Sequence, residues 1–192
     1  MPLPADHRFP MAKYAAIRDG VIARGILAHG DIHDPDRLER WALALVHTAR
    51  YADAMHDGSL APAEVRRLGF PWSPELCERS LRTAQCTVEA TRDALDTGLG
   101  VNLAGGTHHA FRDRGEGFCV FNDLAVAIAV ARRDHGALRV AVIDLDVHQG
   151  NGTASLFADD AGVFTLSLHG ARNYPFRKEQ SSLDVGLPDG CE

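Results

Sequence analysis

The chain has 192 residues, 45% hydrophobic and 24% charged, with a formal net charge of −6 and no Lys/Arg cluster. This is about one domain's length, with an ordinary globular composition, and the missing cationic cluster argues against direct nucleic-acid binding. No apolar run approaches the ~18 residues of a membrane span, the start MPLPADHRFPM lacks the apolar stretch of a secretory signal, and the four cysteines form no CxxC pair, so free thiols in a reducing, cytoplasmic setting are expected.

Residues 11–29 carry apolar side chains at helical spacing, with Gly30 as the expected stop. Residues 36–55 predict a second helix, entered at Asp34-Pro35. Residues 57–74 are rich in Gly, Pro and Ser and predict a long loop. Residues 75–97 predict a long helix closed by Gly98. Residues 101–104 form a short apolar run, a strand candidate, ending in Gly105-Gly106. Residues 123–135 predict a helix, with Asn122 or Asp123 as N-cap and Gly136 beyond its end. Residues 138–145 predict a buried strand, 151–157 a short helix, and 163–168 another apolar strand. Continuous apolar strands alternating with helices point to an α/β fold with a parallel sheet. Ligand sites in such sheets lie beyond the carboxyl ends of the strands.

Ten histidines are many for this length, and several sit where that rule places a site. Alternation along the end of the 138–145 strand puts Asp144, Asp146 and His148 on one side. A carboxylate and an imidazole two residues apart can both reach one metal ion. A lone Asp-x-Asp at a strand end is more often a solvated cap, but Gly150-Asn151-Gly152 here lets backbone approach a ligand closely. His108-His109 follow Gly105-Gly106 and can both point into a pocket, although one histidine of such a pair can equally cap a helix. Gly115-Glu116-Gly117-Phe118 precedes a helix as an anion-binding loop would, yet its spacing fits neither a P-loop nor a dinucleotide motif.

Taken together, GGxHHA (105–110), GxGFCxxND (115–123) and DxDxHxGNG (144–152), in that order and spacing, resemble the zinc-dependent histone deacetylase family. His47 to Tyr51 is similar to the family's VHxxxY segment, and Thr165 to His169 also matches. His7-Arg8-Phe9-Pro10 and His148-Gln149-Gly150-Asn151-Gly152 resemble the class IV branch and its bacterial relatives. The resemblance covers nearly the whole chain. It implies a three-layer α/β/α arrangement of the arginase/deacetylase type, built as one catalytic domain over residues 1–192.

The resemblance also implies roles. Asp146 and His148 resemble two of three zinc ligands. His109 resembles the main general base and acid, with Asn151 as its partner. His108 resembles its electrostatic neighbour, oriented by Asp144. Gly117 and Phe118 resemble one wall of an acyl-lysine channel, and Tyr174 the opposite wall. Asp144, Asp146, His148, Ser167 and Leu168 resemble the shell of a structural potassium ion. Zinc so held keeps an open position, lowers the pKa of water and polarises the amide carbonyl. The implied substrate is an acyl-lysine peptide or protein, or an acylated polyamine.

Two departures from the family pattern stand out. Asn151 occupies a position where many members carry aspartate, and a neutral amide supports an imidazolium less than a carboxylate does. The third zinc ligand and the oxyanion tyrosine match nothing in these 192 residues, so the C-terminal part of the domain is expected to be missing. The strand at 163–168 is then expected to form an uncovered sheet edge. A non-catalytic remnant and an arginase-like dimanganese enzyme are the alternatives. The second needs more carboxylates at the strand ends than are present.

Overall fold

The computed structural model describes Met1 and residues 3–191. The helical half is organised by the longest helix, preceded by four shorter ones. These are α1 (Lys13–Ala23), α2 (Arg40–Ala44), α3 (Ala49–Asp57) and α4 (Pro62–Leu68), followed by α5 (Pro74–Thr97). Ser73 starts α5 by accepting a hydrogen bond from the Leu76 amide at 3.2 Å, Pro74 fits its first turn, and Gly98 ends it at φ 91°. Its buried stripe includes Leu76, Ser80, Leu81, Ala84, Thr87 and Val88, a helical spacing, and it packs along α6 (Asp123–His135). In α6 the Asn122 side chain caps the Ala125 amide, and Ala125, Val126, Ala127, Ile128, Val130 and Ala131 are all buried. The reason is that α6 lies between two layers. Val126 and Val130 join the main core with α5, while Ile128 packs on Val142 and Val163 of the sheet.

The sheet holds β1 (Val140–Asp144), β2 (Val163–Gly170) and β3 (Leu183–Leu187) in that spatial order, and α7 (Asn151–Phe157) links β1 to β2. Both pairings are parallel, with Asp144 opposite Ser167 and Leu168 opposite Val185. One face is covered, burying Val142, Val163, Thr165 and Ser167. The other carries Ile143, Phe164 and Leu183 at 55%, 44% and 46% exposure, so a second helical layer is not among the described residues.

Several sequence expectations need correction. The first helix ends at Ala23 because Gly25 turns left-handed at φ 64°. The second divides into α2 and α3. His47 and Thr48 between them are pinned elsewhere: the Thr48 amide donates to Arg112 O at 2.9 Å, and His47 Nε2 accepts from the Asn122 amide at 3.0 Å. The expected loop at 57–74 contains α4, capped by Gly69. Residues 101–104 form no strand. Asn102 instead ties that stretch to α5, donating to Thr83 O and Thr87 Oγ1. β2 is the central strand of the three rather than an edge. The sequence of its far neighbour β3, LDVGL, predicts no strand, being short and carrying a charge and a glycine. Among the described residues no helix is long and apolar enough to cross a membrane.

Candidate active site

The histidine pair sits on a loop fastened by the start of α6. The buried Asp123 carboxylate accepts from the Gly106 amide at 3.0 Å, the Thr107 amide at 2.7 Å, the Thr107 hydroxyl at 2.6 Å and the Thr87 hydroxyl at 2.5 Å. Asn122 adds a bond from Nδ2 to Ala110 O at 3.2 Å. From the other side, α7 approaches the loop backbone at Gly152, where a β-carbon would lie 2.6 Å from the His109 carbonyl carbon. Thr153 N donates to His108 O at 3.0 Å. The sequence marks Asp123 only as a helix cap; its second task, holding the histidine loop, is set by tertiary contact.

The second group of residues follows β1, which ends at Asp144, one residue earlier than expected. Beyond it the chain bends instead of running extended. Asp144 Oδ1 accepts from the Asp146 amide at 3.0 Å, and Asp146 Oδ1 accepts from the His148 amide at 2.8 Å. These two side-chain turns keep Asp144, Asp146 and His148 together while Leu145 and Val147 face outward. Gln149, fully buried, then fastens this segment to the region of β3. Its Nε2 donates to Glu179 O at 2.7 Å and Asp184 Oδ1 at 2.8 Å, and its Oε1 accepts from the Glu179 amide at 2.9 Å.

The two groups meet. The His108 and His109 rings lie 4.1 Å apart, and His109 is 5.8 Å from His148. His108 Nδ1 sits 2.5 Å from Asp144 Oδ2, and His109 Nδ1 sits 2.7 Å from Asn151 Oδ1. Burial tends to raise the Asp144 pKa, but the bond and charge of His108 outweigh it and hold the carboxyl below its ordinary value. Burial, reinforced by His108, pushes His109 down to about 4 against the opposing bond from Asn151. A neutral, buried imidazole that keeps one nitrogen free is chemically a base held in reserve.

The expected channel residues also assemble. Gly117 and Phe118 both adopt positive φ, 56° and 66°. Their amides donate to Arg67 O and Leu68 O at the end of α4. Phe118 packs in an aromatic cluster with His7, Phe9 and Phe70. A β-carbon on Gly117 would lie 2.7 Å from His109 Cδ2 and 3.1 Å from Tyr174. Tyr174 stands edge-on to His109 at 4.9 Å and to His148 at 5.9 Å. Its hydroxyl donates to Glu116 Oε1 at 2.7 Å. The sequence marks Glu116 only as part of a glycine-flanked loop. The available signal was an acid between two glycines, in a chain whose second histidine is paired with an amide.

For a metal, Asp146 and His148 offer an oxygen and a nitrogen 3.1 Å apart, both partly exposed. That mixed pair suits Zn²⁺. Among the described residues no group of three His, Cys, Asp or Glu side chains converges on one point. The pair therefore fits two places of a zinc site and does not complete one. Of the expected potassium shell, Asp144 and Ser167 are register partners on β1 and β2. Ser167 Oγ is bonded to His169 Nδ1 at 3.0 Å.

A parallel sheet with paired histidines and an Asp-x-Asp-x-His segment clustered beside its strand ends defines a protein of the arginase/deacetylase-like α/β class. The chain belongs to the histone deacetylase domain family, whose family model matches residues 7–190. It is 42% identical over its full length to an uncharacterized protein of Picosynechococcus sp., covering 64% of that protein. It is 37% identical over 182 residues to the acetoin utilization protein AcuC of Bacillus subtilis, covering 89% of this chain and 46% of that one. The crystal structure of a histone deacetylase homologue from Aquifex aeolicus superposes with a TM-score of 0.80 at 27% identity, covering 98% of this chain and 56% of the other. The chain thus spans about half to two thirds of the length of these relatives.

Proposed function

We propose that the protein acts as a zinc-dependent deacylase that hydrolyses acyl-lysine amides, with the described residues supplying its proton-transfer pair and part of its metal and channel surfaces. The observation that carries this reading is the unequal pairing of two adjacent imidazoles, His108 with a carboxylate and His109 with an amide, beside the donors Asp146 and His148. Bound zinc would polarise the amide carbonyl and acidify the attacking water.

The chain's own residues do the rest. His109 accepts the water proton at Nε2 and returns it to the leaving amine. His108, steadied by Asp144, stabilises charge as it develops. Gly117, Phe118 and Tyr174 line the passage for the aliphatic lysine stem and exclude water. Tyr174 serves there as a wall, since its hydroxyl is committed to Glu116. The zinc site needs one more protein donor than Asp146 and His148, and the oxyanion needs a donor of its own. A potassium ion held by Asp144, Asp146, His148, Ser167 and Leu168 belongs to the same proposal, as does a cytoplasmic location.

The test is hydrolysis of acetyl- and longer acyl-lysine peptides by the full-length protein, with acetylated polyamines as a parallel arm. Peptide turnover is expected, abolished by zinc chelation and lowered ~10²–10⁴-fold in His109→Ala, the usual worth of a general base. Turnover confined to polyamines would overturn the substrate class. Undiminished turnover in His109→Ala would overturn the mechanism.

A further inference from the structure

The side-chain amide of Asn151 is held at both ends. Its oxygen faces His109 Nδ1 at 2.7 Å, and its nitrogen faces Glu116 Oε1 at 3.2 Å. A carboxylate offers only acceptors, so the NH₂ end of the amide must face Glu116 and the oxygen must turn to His109. An acceptor at Nδ1 places the imidazole proton there, which leaves Nε2 with a free lone pair. Glu116 is itself fixed in place. Its side chain is 17% exposed, it accepts the Tyr174 hydroxyl at 2.7 Å, and its backbone pairs with Cys119 in both directions at 3.1 and 2.9 Å.

We propose that Glu116 is a positioning residue for proton transfer at His109, acting through Asn151 to select the tautomer whose Nε2 is the base. The inference rests on the reading of His109 as the proton acceptor. It accounts for an amide at position 151. A carboxylate there would set a second negative charge against Glu116, whereas the amide lets one charge, set one residue further back, orient the whole chain His109–Asn151–Glu116.

Glu116→Gln tests this with little change of shape, because an amide can present either a donor or an acceptor to Asn151 and the bias is lost. The readout is the two-bond ¹H–¹⁵N correlation spectrum of the histidine rings in the full-length protein, with His109 assigned by its absence from His109→Ala. The wild-type protein is expected to show His109 protonated at Nδ1 alone. Glu116→Gln is expected to add the Nε2-protonated form and to lower kcat at least roughly tenfold with KM within about twofold. That is short of the ~10⁴ associated with a base histidine held in the wrong tautomer. Tyr174→Phe, which removes the phenol bond to Glu116 and leaves its ion pair with Arg114 at 3.7 Å in place, is expected to leave the tautomer unchanged. Adding Asn151→Asp to Glu116→Gln should restore both tautomer and kcat, since an aspartate beside His109 is again acceptor-only. A wild-type tautomer in Glu116→Gln, or no rescue in the double variant, would overturn the proposal. Full activity in His109→Ala would instead remove the reading of His109 and leave the tautomer result to judge Glu116 separately.

Discussion

His109 donates from Nδ1 to the side-chain oxygen of Asn151 at 2.7 Å, while the other end of that amide donates to Glu116. The three groups form a chain in which each contact sets a donor against an acceptor, and the matching predicts what a single exchange does.

Asn151→Asp alone puts a carboxylate oxygen about where Nδ2 now faces Glu116 Oε1 at 3.2 Å. Two like charges at that range raise the pKa of the pair. The variant is expected to lose on the order of 1–3 kcal/mol of stability at pH 7, the scale of an unpaired buried polar group. The loss should shrink as pH falls and one carboxyl takes up a proton. Urea unfolding at pH 7 and pH 5 checks both statements, and an undestabilised variant at pH 7 would contradict the assigned contact.

Gly117→Ala is expected to damage activity more than stability. The position has φ 56°, and its β-carbon would press on His109 Cδ2. The backbone term is ~1–2 kcal/mol, while a ~1 Å displacement of a catalytic group can lower the rate on the order of 10²-fold. Measuring kcat/KM beside the denaturation midpoint separates the two effects, and a fall in stability with normal kcat/KM would go against this account.

His47 makes stability depend on pH. Burial holds its pKa at about 4, from an ordinary value of 6.5, and its Nε2 accepts from the Asn122 amide, so the folded state keeps it neutral. Above pH 6.5 both states are neutral and the term vanishes. As pH falls from 6.5 towards 4 the unfolded chain binds the proton and the folded chain does not, so stability falls through that window. At 1.36 kcal/mol per pKa unit the full loss is roughly 3 kcal/mol. His47→Gln keeps an acceptor without titrating, and its unfolding free energy should fall less over the same window. Equal slopes would show that His47 is not the group responsible.

A polypeptide of residues 1–192 is expected to associate and to lack turnover. Ile143, Phe164 and Leu183 expose an apolar sheet face, and β1 and β3 present outer edges among the described residues, a combination that recruits other chains. Two metal donors hold zinc less firmly than three. Sedimentation should show concentration-dependent mass, reduced by Ile143→Lys with Phe164→Lys, and zinc-supplemented assays should show no acyl-lysine hydrolysis. Turnover by this polypeptide with zinc added would mean the catalytic set is already complete within these residues.

The sequence by itself determined the elements whose signals are local. The capped helix from Pro74 to Thr97, the helix behind Asn122, the apolar strands around Val142 and Thr165, and the order of the His-His and Asp-x-Asp-x-His segments were all legible, because caps, glycines and hydrophobic runs act over a few residues. Tertiary structure decided what depends on distant partners. The pinning of His47 and Thr48 broke one predicted helix into two. Side-chain bonds from Asn102 replaced a predicted strand, and the pairing of β2 with the short β3 moved it from edge to centre. The site divides in the same way. That histidines and carboxylates follow the strand segments could be read from the sequence. That Asp123 fastens the histidine loop and that Glu116 stands behind Asn151 could not, since each is a hydrogen bond between groups more than a dozen residues apart. Only a folded chain, in which a buried polar atom must find a partner or remain unsatisfied, selects such pairs.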